Sequence, residues 1–474
     1  MTTRPFGDMD PEAFRREAHR VADWIADYLA DPGRYPVLSQ VSPGDIGRSL
    51  PAEAPAAGES FDSIFEDFER IIMPGITHWN HPGFFAYFAI TGSGPGILAE
   101  FLSAALNVQA MLWRTSPAAT ELEEVTLGWL RKLVHLPDGF EGVIYDTASV
   151  STLHALAAAR ERVAPNVRAQ GLNGRYRVYC SDQTHSSIDK AVILLGLGYE
   201  SLRKIPSDRE FRMEVPRLIE AVEEDRAAGW TPLAVVATVG TTSTTSIDPV
   251  SAVAEVCARE GVWLHVDAAY AGVAAMVPGY EHILAGAEGA DSVVLNPHKW
   301  LFTPFDLSVL YTRHMGVLRS AFSLTPEYLR TTEVSPVRNL MDTGVQLGRR
   351  FRALKLWMVL RHFGADGLRG RLAEHMRLAR LFAEWVDASE DFERLAPVPF
   401  SVVCFRSIPR ALRGDESQLD AHNEKLLESV NRTGTIFLSH TRLGGRFCLR
   451  LAVGNLRTTE QHTAQAWELL KNLQ

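Results

Sequence analysis

Apolar residues at helical spacing open the chain. Phe14, Ala18, Val21, Ile25 and Leu29 recur among charged neighbours behind Asp10-Pro11, a pair that marks a helix start. Prolines 32, 36, 43, 51 and 55 then deny regular structure, and Phe61, Ile64, Phe65, Phe68 and Ile72 predict a second helix. Such an arm either folds back on its own domain or packs on another subunit; the second is expected here.

From about residue 115 to 315 the pattern alternates. Short apolar runs at Val143–Tyr145, Val178–Cys180, Val235–Val239, Trp263–Val266, Val293–Leu295 and Val309–Tyr311 are separated by helical periodicity. That pattern predicts an α/β fold, a mainly parallel central sheet covered by helices on both faces. Beyond about 350, helices around Phe351–Phe363 and His375–Val386, a strand at Ser401–Phe405, a helix about Leu419–Val430, a strand near Arg446–Ala452 and a final helix predict a smaller α+β unit. The expected division is a helical, dimer-forming arm over 1–88, a large α/β domain over 89–355 and a small C-terminal domain over 356–474. The polar span Arg330–Thr343, with Pro336, is the expected mobile loop.

Composition narrows the partners. A formal charge of −9 and a sequence pI near 5.9 argue against a nucleic-acid surface and supply no polybasic membrane tether. No stretch reaches the roughly 18 apolar residues of a membrane span, and Met1-Thr2-Thr3-Arg4-Pro5 lacks a signal core, so a cytoplasmic location is expected. Cys180, Cys257, Cys404 and Cys448 are far apart, without Cys-x-x-Cys or His clustering. They read as buried, reduced thiols, with neither disulfide nor metal site expected.

The chemistry lies where apolar runs end. Ligands of parallel sheets sit at the strand carboxyl ends, and Thr147-Ala148-Ser149, Thr241-Thr242, Asp267 and Asn296 through Lys299 all follow such runs, so they should converge on one crevice. Asn296-Pro297-His298-Lys299-Trp300 delivers a lysine off a strand, and Asp267 ends a strand upstream. Pyridoxal phosphate needs that pair: a lysine for its aldehyde and an acid for its ring nitrogen. Thr147–Ser149 precede a predicted helix, where small hydroxyls and free N–H groups make an anion site; a serine that caps the helix is compatible with that role. His185 follows another apolar run, as a ring able to stack on a cofactor or as a structural histidine. Gly92-Ser93-Gly94-Pro95-Gly96 follows no clear strand and reads as a bend.

Several segments together resemble the aromatic L-amino acid decarboxylases, the pyridoxal-phosphate-dependent group II decarboxylases of fold type I. They are Ile72–Trp79, Phe84–Phe88, Thr115–Glu123, His265–Gly272 and Leu347–Arg352, and the resemblance runs from Pro11 to the C-terminus. It implies Lys299 as the lysine bonded to the cofactor, Asp267 on the ring nitrogen, His185 and Ala269 on opposite ring faces, Thr242 near the ring oxygen, and Ala148, Ser149 and Asn296 on the phosphate. It places Tyr328, in Thr325-Pro326-Glu327-Tyr328-Leu329, on a loop that protonates the carbanion left by carbon dioxide. It also implies a homodimer whose interface pocket is shaped by Trp79, Tyr87, Phe88 and a segment near Met111, and an amino acid as substrate.

Some positions depart from the family pattern. Ala89-Ile90 replace a frequent Pro-Thr, Met111 stands where phenylalanine is common, Arg114 follows the tryptophan, and the loop before Leu347 is shorter. Arg114 offers a cation to an acidic substrate. Against that, His81-Pro82-Gly83-Phe84-Phe85 lacks the arginine of acidic-substrate relatives, and an aromatic substrate decarboxylated to its amine is the expectation. The rivals are an acidic-amino-acid decarboxylase, an aldehyde synthase on the same scaffold, and a catalytically silent cofactor-binding protein.

Overall fold

The computed structural model describes residues 7–324 and 337–474. The opening helix is Pro11–Ala30, and the side chain of its N-cap Asp10 accepts from the backbone N–H groups of Glu12 and Ala13. The proline-spaced segment holds a tight helical turn at Pro32–Arg34 and a short α-helix, Asp45–Ser49, which the proline count had hidden. The second predicted helix is Phe61–Asp67, continuing as a wider turn through Ile72. The Gly92–Gly96 stretch is more than a bend: Ser93 is the N-cap of a helix, Gly94–Leu106, with Pro95 in the first turn, where its missing N–H costs nothing.

Seven strands form the large sheet: β1 (Glu141–Tyr145), β2 (Tyr176–Ser181), β3 (Leu202–Ile205), β4 (Thr231–Thr238), β5 (Trp263–Asp267), β6 (Ser292–Leu295) and β7 (Ser308–Thr312). Their order is β1-β7-β6-β5-β4-β2-β3, and only β7 runs against the rest. Register aligns Thr238, Asp267 and Val294 across the parallel core, so β4, β5 and β6 deliver their carboxyl ends to one edge. β1 is an edge strand. On its open side Ile144 N–H donates to Glu123 and Ile144 C=O accepts from Arg349, while these buried residues form an ion pair at 2.8 Å. The pair satisfies the backbone groups that an edge would otherwise leave bare.

A smaller antiparallel sheet has β8 (Phe392–Arg394), β9 (Val402–Ser407), β10 (Ser439–Leu443) and β11 (Arg446–Ala452) in the order β10-β11-β9-β8. Helix Ala353–Asp387, interrupted at Gly364 (φ 64°), leads the chain into it. All four cysteines are buried and free. Among the described residues no helix is long and apolar enough to cross a membrane, and no His, Cys, Asp or Glu cluster could hold a metal ion.

Residues 330–336 of the expected mobile loop lie outside the described residues, and part of the remainder is core. Leu340–Thr343 form a tight turn with Leu340, Met341 and Thr343 buried. Tyr145 Oη donates to Thr343 O, and Met341 N–H donates to Met111 O at 3.0 Å. The polarity of 330–343 as a whole concealed this apolar pair.

Candidate active site

After β1 the chain turns at Asp146 into helix Ala148–Val163, whose N-cap is Thr147. Among the described residues nothing accepts from the N–H groups of Ala148 and Ser149, which open the helix as its free donors. Ser151 Oγ meets Ser308 Oγ at 2.8 Å, and Thr152 Oγ1 meets His265 Nε2 at 3.1 Å, tying this helix end to β7 and β5.

Lys299 follows β6 on the short helix Pro297–Trp300. Its neighbour Trp300 is fully buried, donates Nε1–H to His375 Nδ1 at 3.0 Å and stacks on Tyr270 at 4.8 Å. That anchor fixes the turn and so aims the lysine. The Lys299 pKa is pushed down by burial; Asp267 opposes the shift and Arg450 adds to it. Asp267 ends β5, is nearly buried, and receives Ala269 N–H on Oδ1 at 3.1 Å. His185 Nδ1 accepts from Ser187 N–H at 3.1 Å, so the neutral ring carries its proton on Nε2. Burial and then the Lys299 cation lower its pKa, with Asp267 opposing, which places the three groups within electrostatic reach.

Asn296 holds the clearest sign of an anion. Its neighbour His298 accepts Leu307 N–H on Nδ1 at 2.8 Å, and burial followed by the Lys299 charge drives its pKa down to about 3. The neutral ring therefore has its proton on Nε2, which lies 3.3 Å from an Asn296 amide atom. A protonated Nε2 requires an oxygen there. As placed, the amide sets Nδ2 against His298 and leaves Oδ1 without a partner, a donor facing a donor; turned over, it presents Oδ1 to His298 and Nδ2 to the buried position that has no protein partner among the described residues. A buried donor without an acceptor beside a lysine turn fits an anionic group.

Trp79, Tyr87, Phe88, His185, Thr242, His298 and Lys299 line one cavity of about 370 Å³, together with Ile90, Phe305, Ser243, Ser439, His440, Thr441 and Arg450. Thr241 is absent from this wall. Its hydroxyl lies 3.1 Å from Thr244 Oγ1 and 2.9 Å from Ser246 Oγ, within the loop. Asp267, Ala269 and Asn296 lie behind the wall, with Asn296 N–H donating to Ala269 O at 3.0 Å. Thr147, Ala148 and Ser149 are not part of the wall, and neither is Met111, which packs with Leu112 and Met341 in the single chain. Tyr328 lies outside the described residues.

Sequence reading missed the contribution of the small sheet: Ser439, His440, Thr441 and Arg450. Tyr87 shows why they matter. It sits in the left-handed region (φ 51°), a conformation that costs on the order of 1 kcal/mol or more for a residue with a side chain. Ser439 Oγ receives Tyr87 N–H at 3.1 Å and Arg450 donates to Tyr87 O, holding that strained residue against the cavity.

The residues present fit pyridoxal phosphate: an amine of lowered pKa on an anchored turn, a strand-end carboxylate, a neutral imidazole, an unpartnered amide donor and a helix N-terminus. The comparisons agree. A family model described as the pyridoxal-dependent decarboxylase conserved domain matches residues 43–408. Tyrosine decarboxylase 3 of Petroselinum crispum is 42% identical over 99% of this chain and 93% of its own length. A phenylacetaldehyde synthase of Petunia hybrida is also 42% identical, over 98% of this chain and 94% of its own. The crystal structure of Oryza sativa TDC with PLP and tryptamine superposes with a TM-score of 0.96 at 38% identity, covering 99% of each chain. With lysine, acid and fold in place, the chain belongs to the pyridoxal-dependent decarboxylase family, and its sheet-and-helix framework is that of fold type I.

Proposed function

We propose that the protein decarboxylates an aromatic L-amino acid to its amine and works as a homodimer. The cavity wall carries the substrate reading. Trp79, Tyr87, Phe88 and Phe305 surround the mouth of Lys299 with aromatic surface. Among the described residues the one guanidinium in that wall is Arg450, whose Nε and one terminal nitrogen are engaged by the carbonyls of Ser243 and Tyr87. Arg114 is exposed and outside the wall of the single chain.

Bound pyridoxal phosphate supplies an aldehyde for amines and a conjugated ring that takes up the electron pair left at Cα when carbon dioxide departs. Lys299, held toward its neutral form by burial, would be the amine that bonds that aldehyde. Asp267 would keep a proton on the ring nitrogen, and His185, Ala269 and Thr242 would hold the ring, as the family resemblance implies. The aromatic wall excludes water from the carboxylate that must leave uncharged. Tyr328 then donates a proton to Cα, so the product is amine rather than aldehyde.

Dimerisation is supported by apolar surface. Phe14, Leu98, Phe101, Leu102 and Leu106 are each more than half exposed on helices Pro11–Ala30 and Gly94–Leu106, and exposed apolar side chains grouped in this way mark an interaction surface. Met111, which the family resemblance sets beside an interface pocket, would serve the partner's pocket. Sedimentation of the full chain should give a dimer, and deletion through Met73 should abolish both dimer and activity; an active monomer would exclude the shared pocket.

The deciding experiment is a screen of all common amino acids with amine, carbon dioxide and hydrogen peroxide measured together. Phenylalanine, tyrosine or tryptophan should release amine and carbon dioxide in equal amounts. Turnover of glutamate or aspartate instead would overturn the substrate class, and aldehyde with peroxide as the main products would make the protein an aldehyde synthase. No turnover of any amino acid by cofactor-loaded protein would make it a silent binder.

A further inference from the structure

Arg450 is a buried cation with no carboxylate partner among the described residues. It projects from β11, is 4% exposed, and among the described residues has no carboxylate within ion-pair distance. Nε–H donates to Ser243 O at 2.9 Å, one terminal nitrogen donates to Tyr87 O, and the other, Nη2, has no partner. Its guanidinium carbon lies 4.6 Å from the centroid of the Phe88 ring. Lys299 Nζ lies 5.3 Å from the same centroid. The two cations are therefore within about 10 Å of one another on one aromatic ring, which is itself stacked on Tyr270 at 3.9 Å.

A buried charge without a counterion is unfavourable for the fold, and arginine does not relieve that by losing its proton. A methionine or glutamine would pack the same space more cheaply, so the charge itself calls for a use. Carbonyls and a ring face are the partners that hold a guanidinium while leaving its positive charge uncancelled.

We propose that Arg450 is a positioning residue that makes Lys299 reactive: it pins Tyr87, Phe88 and the Thr242–Ser243 loop around the lysine and sets an unneutralised positive charge against the ring the lysine rests on. Among the described residues the other charged or titratable groups facing Lys299 are Asp267 from β5, His185 from the segment after β2, His298 beside it and His440 from β10 across the cavity, while Tyr270, Cys404 from β9 and Cys448 from β11 face Arg450. His185 and His298 are held neutral by burial, and Asp267 acts in the opposite direction to Arg450. Arg450 thus offsets the carboxylate that the cofactor's ring nitrogen requires. Without it, Asp267 would favour a protonated, unreactive ammonium. This inference rests on the pyridoxal-phosphate reading of the site and extends it to a residue on the other sheet.

Two unit charges about 10 Å apart at an effective dielectric near 20 alter a protonation equilibrium on the order of tenfold. The test measures the rate at which pyridoxal phosphate attaches to the full-length, cofactor-free chain as a function of pH, followed by absorbance and by borohydride trapping on Lys299. In Arg450→Met and Arg450→Gln the midpoint of that profile should move upward by about one pH unit, so that at a fixed pH on the rising limb attachment slows roughly tenfold. Arg450→Lys restores a charge without the fork and should return the midpoint most of the way. Arg450→Gln keeps an amide donor for the carbonyls and serves if the methionine variant does not fold.

An unchanged midpoint in folded, uncharged variants overturns the proposal. So does a lysine variant displaced as far as the glutamine one, because charge would then not be the agent. A raised KM for the amino acid with an unchanged midpoint would make Arg450 a substrate-carboxylate ligand instead. If wild-type protein traps no cofactor on Lys299 at any pH, the pyridoxal-phosphate reading itself fails, an outcome distinct from these.

Discussion

Asn296→Asp replaces a single donor with an acceptor and leaves the rest of the site alone. His298 Nε2–H already needs an oxygen from residue 296, so the aspartate keeps that contact at the 3.3 Å position. Only the second amide atom changes, from N–H to oxygen, at the buried position that has no protein partner. If it faces the cofactor's phosphate, the variant loses one charge-assisted hydrogen bond, about 1.5–3 kcal/mol, or roughly 10- to 150-fold in affinity. Repulsion between two anions adds to the loss. The cofactor's dissociation constant follows from fluorescence quenching, and cofactor-free unfolding midpoints report whether the fold is intact. The deficit should shrink as pH falls, because a buried carboxyl beside an anion protonates readily and then donates again. Asn296→Ala, which removes the donor without adding charge, should fall between wild type and aspartate. Affinity within threefold of wild type, or a loss independent of pH, would show that the amide does not face the phosphate.

Borohydride reduction of the yellow holoprotein should fix the cofactor on Lys299 alone, and a peptide map showing another modified lysine would refute the site. Tyr328→Phe should shift product from amine toward aldehyde, ammonia and hydrogen peroxide with cofactor affinity unchanged; amine at the wild-type rate without aldehyde would remove Tyr328 as proton donor. Arg349→Met leaves Glu123 buried and unpaired beside β1, so it should cost about 3–5 kcal/mol in urea unfolding, with only part of it recovered when Glu123→Leu is added, because the N–H and C=O of Ile144 then have no partner. A double variant as unstable as the single one would contradict this. His265 and His375, with pKa values pushed down to about 4 by burial, and His298, at about 3, are neutral when folded but take protons near 6.5 when unfolded. Stability should therefore be complete above about pH 6.5 and fall as pH drops from there toward 4; a urea midpoint flat from pH 7 to 5 would count against it.

Elements with a strong one-dimensional signal were legible in the sequence. The runs before Asp267 and Asn296 are short, mostly apolar strands, and each leads directly into residues that carry chemistry. β3 escaped because Leu202-Arg203-Lys204-Ile205 is an edge strand with only its last residue buried. β10, Ser439–Leu443, is polar along most of its length and showed no alternation strong enough to read. Helix Gly94–Leu106 was masked by its opening Gly-Pro-Gly and by apolar residues on its outer side, where Leu98, Phe101 and Leu102 are exposed. Amphipathic patterning assumes that one face meets water, and this helix violates the assumption because much of its outer face is apolar.

The site divides along the same line. Asp267 ends a large-sheet strand and Lys299, His185 and Thr242 lie just past one, so a rule about strand carboxyl ends finds them without any knowledge of distant contacts. Arg450 obeys no such rule. It sits inside a strand, Arg446–Ala452, between Leu449 and Leu451, where an alternating pattern predicts a side chain in water. It is buried because the two sheets face each other across the cavity, so the side of β11 that would meet solvent in an isolated sheet meets Phe88, Tyr87 and Ser243 instead. Local pattern therefore reveals the groups that react, since each is placed by its own strand. The group that tunes them is placed by the approach of a second sheet more than a hundred residues away, and only a three-dimensional structure makes that approach visible.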